Sequence, residues 1–392
     1  QFSPLNCDPS NIFNLPLPDG GNYWSDFDTP AEGCTDADSN GFCDAPKVFA
    51  GGTDNLPSKN PFTEDNPLEE CCSSVVFLPG HQSTRLFSTS DSGDRLWEPN
   101  TNNDVEALYL NESGESIDPS IKTDGILDEV FGSLGNIYLG FINFMDDLVA
   151  DGTINEWKPL EYDWRKDLSD IVESGVYTRD GHYDMVAEIE RLASESQTGK
   201  VTIITHSNGG LLAKFLIDRL KREGKEGLVD QLIMVAAPQI GTPKAVSALL
   251  HGNKPGWMGL LTERFMDRTH QRTLGENMTS AYNLMPSGEY FDRVLDPVIE
   301  FDPSIDSLMN WRTLYSHSVD SLAELRNFVL GGDGRIEPAD ADFMTPNVLK
   351  SAQLDQSADN QAFLDSWTAP ENIKVTQIAG WGLDTLRGIR YV

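Results

Sequence analysis

VTIITHSNGG, Val201 to Gly210, decides how the chain is read. An apolar run breaks sharply at His206-Ser207-Asn208 and passes into the amphipathic stretch GLLAKFLIDRL. Strand, tight turn, helix is how a hydrolase presents a nucleophilic serine. Thr205-His206-Ser207-Asn208-Gly209 departs from strict Gly-x-Ser-x-Gly only in having Thr for the first glycine. Small residues flank such a serine because the turn is strained and the backbones of strand and helix pass closely. The helix N-terminus behind Ser207 offers N–H groups and a positive dipole to a developing oxyanion. A plain Ser/Asn helix cap explains neither the glycine pair nor the long preceding strand.

The second piece is VVFLPGHQSTRL, Val75 to Leu86. An apolar strand ending in Pro-Gly brings a loop backbone to the mouth of a sheet. The N–H of His81 there is the candidate second oxyanion donor, beside that of Asn208. The His81 imidazole is not assigned as the base, because this position contributes its backbone.

From Ser73 onward, apolar strands alternate with amphipathic helices, the pattern of a parallel sheet covered on both faces. Strands are expected at Val75–Leu78, Leu160–Tyr162, Val201–Thr205, Gln231–Ala236 and Lys374–Ala379, and helices at Tyr183–Ser194, Gly210–Arg222, Ser318–Val329 and Asp359–Ser366. Gly125–Asp151 and Ala248–Arg272 mix Met, Phe, Leu and Trp with charges, as caps over an apolar pocket do and as ordinary connecting helices also do. The expected fold is therefore α/β, a mostly parallel sheet flanked by helices, with helical cap insertions over residues 71–392 and a small irregular module over residues 1–70.

With 62 acidic against 29 basic residues the formal net charge is −33, which repels nucleic acid and anionic membrane surfaces. No apolar run approaches the roughly 20 residues of a membrane-spanning helix. The five cysteines, Cys7, Cys34, Cys43, Cys71 and Cys72, all fall in the first 72 residues. This clustering suggests disulfides, an oxidising compartment and a secreted or cell-surface location. Cys34 and Cys43 bracket a tight loop and are the expected pair; the pairing of the others stays open. Between them and just beyond lies Asp36-x-Asp38-x-Asn40-Gly41-x-x-Asp44. Oxygens at alternate positions around a glycine suit calcium, although position twelve is Lys47 and supplies no carboxylate. Asp36, Asp38, Asn40 and Asp44 are thus candidate ligands of a structural Ca2+, with an Asx-rich turn pinned by the disulfide as the alternative.

Two resemblances add to this reading. Asn22–Asp26, the Asp36–Asp44 loop and Asp54–Pro57 resemble the terminal repeat of NosD-like right-handed β-helix surface proteins. That implies a module attached to a larger surface protein and no chemistry of its own. Residues 73 to 392 resemble the lecithin:cholesterol acyltransferase-like family of α/β-hydrolases. The motifs are Pro79-Gly80 running to Ser83-Thr84-Arg85-Leu86, LYLNESGESIDP at Leu108–Pro119, YDWR at Tyr162–Arg165, the elbow, AAPQIGTPKAV at Ala236–Val246, NLMPS at Asn283–Ser287 and IAGWGLDT at Ile378–Thr385. The resemblance implies an α/β-hydrolase fold and hydrolysis or transfer of acyl groups of lipid esters through a Ser-Asp-His triad. It implies no catalytic cofactor. Ser207 would be the nucleophile, His81 and Asn208 the oxyanion-hole backbones, and Trp164 a neighbour of the acyl pocket.

The triad partners are harder to place. All six histidines precede residue 318, so none follows Asp333 in its Gly-Asp-Gly context. In the family the acid follows the strand that here ends at Thr385, so Asp333 is expected in an insertion. His317 would be a base only with an unusual chain order, and His206 is expected to point away. The acid and base are therefore expected beyond Val392, with both ends of the sequence read as cuts. A C-terminal segment or fragment would then complete the fold and the triad. The alternative to an acyl-ester hydrolase or acyltransferase is a non-catalytic surface-binding module that retains the hydrolase fold.

Overall fold

The computed structural model describes residues 21–49, 52–60, 73–90, 94–130, 135–252, 266–380, 382 and 385–392. The chain divides into two compact units, Gln1–Glu69 and Glu70–Val392. In the first, the Cys34–Cys43 disulfide closes a nine-residue separation, and Lys47–Phe49 pairs antiparallel with Gly52–Asp54. The buried Asp54 carboxylate draws distant pieces of the sequence together. It accepts from the Asn22 N–H (2.7 Å), the Trp24 indole (3.0 Å) and the Leu56 N–H (3.2 Å). Asn22, Trp24 and Asp54 thus serve the unit's own polar interior. Cys7, Cys71 and Cys72 lie outside the described residues.

The second unit is built on a five-stranded sheet. In chain order its strands are β1 (Ser74–Leu78), β2 (Trp157–Pro159), β3 (Val201–His206), β4 (Val229–Val235) and β5 (Lys374–Ile378). Across the sheet they run β5-β4-β3-β1-β2, every pair parallel. This is the parallel sheet expected of an α/β-hydrolase, with the serine-bearing strand at its centre. Helices Met185–Glu195 and Gly209–Arg222 bury Ile189, Leu192, Leu212, Leu216 and Ile217 in the main core. The first is capped by the Asp184 carboxylate, which accepts the Ala187 N–H (3.0 Å) and so satisfies one of the helix's orphan donors.

A second, mixed sheet carries Gly181–Tyr183, Val176–Thr178, Ile121–Ile126, Thr84–Ser88 and Arg95–Trp97 in that order. A separate apolar core gathers around Phe301, where Trp311, Tyr315, Phe328 and Tyr391 lie with ring centroids 5.5, 6.1, 5.9 and 6.0 Å away. Its small sheet pairs Ile299–Phe301 with Ser318–Val319 and with Ile389–Tyr391.

Two expected elements change. Leu160–Tyr162 is not strand: β2 ends at Pro159, the Leu160 N–H makes a last bond to the Phe77 carbonyl (2.8 Å), and Leu160 and Tyr162 are fully buried in the connection beyond it. The helix expected from Ser318 begins at Leu322, because Ser318 and Val319 pair as strand and Ser321 caps the helix by accepting the Glu324 N–H. Of the two cap-like stretches, the first contains helix Leu139–Ala150 and the second the ends of helices Pro243–His251 and Arg268–Glu276. Residues 253–265 lie outside the described residues.

The crossing of β1 by the helix after β3 leaves no room for a side chain. A Cβ on Gly209 would sit 2.2 Å from the Leu78 carbonyl oxygen and 2.7 Å from that of Pro79, and one on Gly210 would sit 2.5 Å from the Ala237 Cβ. We expect Gly209→Ala to lower the unfolding free energy by about 3 kcal/mol, as overpacking against backbone does. Gly227, where a Cβ would have nothing within 4 Å, serves as the control: Gly227→Ala should stay within about 0.5 kcal/mol of wild type. Denaturant midpoints compared at constant m-value decide between them.

Candidate active site

The turn after β3 holds Ser207 at φ +51°, in the left-handed region that a non-glycine residue enters at a cost. The Ser207 N–H donates to the Val235 carbonyl (2.9 Å), so the turn is tied to the end of β4. Two further non-glycine residues at strand ends share this conformation, Gln82 beyond β1 (φ +60°) and Ala236 beyond β4 (φ +50°). Among the described residues three of the five left-handed non-glycine positions thus follow three adjacent strands, the other two being Ser39 and Ser316.

Beside the turn runs the loop Pro79–Ser83. A Cβ on Gly80 would lie 2.9 Å from His206 Nδ1 and 3.2 Å from Ser207 Cβ, so only glycine lets the loop come this close. Its carbonyls are held one by one. Pro79 accepts the Tyr162 hydroxyl (2.9 Å), Gly80 the Ser83 N–H (3.2 Å), His81 the Ser83 hydroxyl (3.3 Å) and Gln82 the Trp97 indole (2.7 Å). The Gly80 N–H donates to the Tyr138 hydroxyl at 3.0 Å. Among the described residues the N–H groups of His81 and Asn208 have no partner, and neither does the Ser207 hydroxyl. The structure therefore brings Ser207, His81 and Asn208 together at one strand end, with two unengaged N–H groups on the loop and turn that flank the serine. Such an arrangement can receive the negative charge of a tetrahedral adduct on Ser207.

The Asn208 side chain is buried, with Nδ2 3.4 Å from the Tyr162 hydroxyl and Oδ1 unpaired. The His81 ring stands edge-on to Trp164, centroids 5.4 Å apart, and its buried Nδ1 is unpaired. Trp164 is itself fully buried, packed on Trp97 (4.9 Å) and donating to the Thr84 carbonyl (3.0 Å). It forms the floor beneath His81.

None of the other histidine rings hydrogen-bonds to Ser207. His206 Nδ1 meets the Tyr138 hydroxyl (2.7 Å), as expected of a ring turned away from the nucleophile. His182 contacts the Ser174 carbonyl, and His251 lies between the Phe343 carbonyl and the Tyr391 hydroxyl. His270 sits between Asp267 and Glu106, while His317 is exposed. Asp333 belongs to the second core. It is paired with Arg335 (2.8 Å), accepts the Trp311 indole N–H and meets no histidine.

Arg165 of YDWR is fully buried, held by both Asp163 oxygens (2.9 and 2.7 Å) and donating to the Leu108 carbonyl (2.9 Å) and Ser116 hydroxyl (3.2 Å). The LYLNESGESIDP and YDWR motifs are thus clamped to each other. They line a polar cleft of about 930 Å³ that does not include Ser207.

In the N-terminal unit the candidate metal ligands face their own loop. Asp36 accepts the Asn40 and Gly41 N–H groups, Asp38 that of Asn40, Asn40 that of Phe42, and Asp44 that of Ala37. Among the described residues no three carboxylate, imidazole or thiol groups converge as a metal cage. As arranged, these side chains fold the loop through its own N–H groups.

Sequence reasoning missed Tyr138. It lies in a stretch read as cap or connecting helix, with no motif around it.

Burial lowers the His81 pKa to about 4, and burial likewise lowers those of His206 and His251. A folded-state pKa below the unfolded value, near 6.5, means that the unfolded chain takes up the proton first as the pH falls. The contribution of His81 is complete above pH 6.5 and lost on the way down to 4. His81 keeps some accessible surface, so we expect about 2 kcal/mol from it between pH 7 and 4.5. His81→Gln should therefore lose less stability than wild type over that interval in chemical denaturation; parallel losses would overturn the assignment.

The profile of the lecithin:cholesterol acyltransferase family matches residues 131–323, a span that includes β2, β3, β4 and the Ser207 turn. The match excludes the N-terminal unit and the loop at Gly80. No curated protein sequence matches the chain. Among solved structures, one reported as the Tle4–Tli4 complex aligns with 13% identity and a TM-score of 0.42, covering 78% of this chain and 74% of that one. A probable hydrolytic enzyme from Pseudomonas aeruginosa PAO1 aligns with 11% identity and a TM-score of 0.22, covering 80% of each. Among the described residues no helix is long and apolar enough to cross a membrane. Over residues 131–323 the chain is thus similar to lecithin:cholesterol acyltransferases, and its parallel sheet is that of an α/β-hydrolase.

Proposed function

We propose that this chain carries the nucleophile and oxyanion hole of a secreted or surface-displayed serine acyl hydrolase or acyltransferase acting on lipid or other carboxylic esters. The observation that carries the reading is Ser207 at φ +51° between two unengaged N–H groups, on the central strand of a parallel sheet. A binding module has no use for a strained serine there. In the proposed reaction Ser207 Oγ attacks the ester carbonyl carbon and gives up its proton to a base. The carbonyl oxygen takes the negative charge, facing the N–H groups of His81 and Asn208. Collapse expels the alcohol and leaves an acyl-enzyme, which water or a second alcohol resolves.

We further propose that the base and its orienting acid come from a segment outside this sequence that completes the sheet beside β5. Two observations support this. No described histidine reaches Ser207, and β5 is poorly covered, with Ile378 51% exposed. For the N-terminal unit we propose that Asp36, Asp38, Asn40 and Asp44 hold a structural calcium ion. A rise in Tm with Ca2+ over EGTA tests that, and an unchanged Tm ends it.

The test of the main reading is fluorophosphonate labelling of the longest native polypeptide containing this chain. Ser207 should be the labelled residue, and Ser207→Ala should abolish labelling while leaving Tm within a few degrees. Absence of label on the wild-type protein would favour the non-catalytic binding module. The 392-residue chain alone should hydrolyse p-nitrophenyl esters at least about 10³-fold more slowly than the completed protein, since loss of a triad base costs orders of magnitude even with the oxyanion hole intact. Equal, Ser207-dependent rates would sink the proposal of an external base.

A further inference from the structure

Tyr138 lies in a stretch that no active-site motif covers, yet its hydroxyl stands between the two halves of the candidate site. It accepts the Gly80 N–H at 3.0 Å and lies 2.7 Å from His206 Nδ1. A phenol oxygen has one proton and two lone pairs, so it can accept from Gly80 and still pair with His206 Nδ1 in either direction, the ring tautomer deciding which. One buried hydroxyl thus bridges the residue before the first oxyanion donor and the residue before the nucleophile.

The bridge is held from behind. The N–H groups of Ile137, Tyr138 and Leu139 converge on the Asp128 carbonyl at 2.9, 3.0 and 3.1 Å. The Asp128 carboxylate in turn accepts from Arg85 (2.6 Å), which also donates to the Ile126 and Glu129 carbonyls (3.0 Å each). Around the ring, Phe77 lies edge-on at 5.1 Å and His206 at 5.7 Å. Arg85, in the strand just after the oxyanion loop, is therefore linked to Tyr138 through Asp128.

The bridge bears on the orientation of the His81 N–H. In a trans peptide the carbonyl and N–H point in opposite directions. The Gly80 carbonyl is directed at the Ser83 N–H, so the His81 N–H of the same peptide faces the other way. The Gly80 N–H on Tyr138 fixes the preceding peptide. With both peptides flanking the Gly80 Cα fixed, the donor has one direction.

We propose that Tyr138 is a positioning residue that locks the oxyanion loop to the nucleophile turn, setting the His81 N–H against the carbonyl attacked by Ser207. This rests on the serine acyl-transfer reading above. Tyr138 touches neither substrate nor reacting atoms. Its effect is on the rate of the chemical step and not on substrate affinity.

The test uses the native polypeptide with three variants, Tyr138→Phe, His206→Asn and His206→Leu. Hydrogen exchange at Gly80 should be at least tenfold faster in Y138F, while β1, β3 and helix Gly209–Arg222 keep their protection. In saturable fluorophosphonate labelling of Ser207, the maximal rate should fall about 10- to 100-fold in Y138F, in the range below loss of a whole oxyanion donor. The reagent concentration at half-maximal rate should stay within twofold. H206N keeps a hydrogen-bonding atom near the position of Nδ1 and should label within about threefold of wild type, whereas H206L should resemble Y138F. This pair carries the test if Y138F fails to fold. Unchanged Gly80 exchange in Y138F overturns the bridge, and faster exchange with an unchanged labelling rate overturns its role in positioning. Equal rates for H206N and H206L overturn the role of His206. No labelling of wild-type Ser207 overturns the serine reading and the positioning role with it; the exchange result then still reports separately on the bridge.

Discussion

The second unit depends on one close approach: the helix that follows β3 crosses the carbonyl end of β1 with no side chain between them. Gly209 makes the contact with Leu78 and Pro79, and Gly210 makes the one with Ala237. Without it the helix could not begin directly after Ser207, and its first N–H groups would not reach the strand end. The contact also dictates the strain. To turn from strand to helix within two residues the chain must pass through a left-handed conformation, and the residue that adopts it is Ser207 at φ +51°. A serine costs more there than a glycine would. The strand pairings on both sides of β3, five residues deep with β1 and six with β4, hold it in place.

The neighbouring loop follows the same logic at longer range. Gly80 must come close to His206 and Ser207, and a loop brought so near another backbone needs its own polar groups satisfied. Tyr162, Trp97, Ser83 and Tyr138 do this from separate segments. Tyr162 and Trp97 are large aromatic residues that bury their rings in the core and spend the polar tip on the loop, a division of labour suited to Tyr and Trp. The loop is thereby a fixed part of the scaffold.

Much of this is legible in the sequence because it is local. An apolar run, a turn with small residues and an amphipathic helix specify β3, the Ser207 turn and the following helix almost to the residue, and Val75–Leu78 is equally plain. The strand expected at Leu160 is misplaced because burial and pairing are separate properties: Leu160 and Tyr162 are apolar enough for a strand, yet they are buried in a connection after Pro159. Ser318 shows the reverse, a polar residue whose pairing with Glu300 comes from the far side of the second core. Tyr138 is invisible for a stronger reason. Its partners Gly80 and His206 are 58 and 68 residues away, and nothing in the local pattern around a tyrosine at the start of a helix announces a bridge.

The costs in the molecule also have a location. An unpaired polar atom in the interior costs about 1–3 kcal/mol, and a left-handed non-glycine residue a comparable amount. Asn208 Oδ1 and His81 Nδ1 are both buried without partners, and Gln82, Ser207 and Ala236 are all left-handed. His81 and Gln82 lie on the loop beside Ser207, Ser207 and Ala236 one residue past their strands, and Asn208 two residues past β3. By contrast Asp333 and Arg165, the charged groups that most invite a functional reading from sequence, are engaged by neighbours that neutralise them. Unpaired polar atoms alone do not mark a site, since among the described residues Arg335 Nε of the Asp333 pair is also buried without a partner; beside Ser207 they coincide with left-handed backbone on two adjoining segments, an observation independent of the Gly-x-Ser-x-Gly pattern.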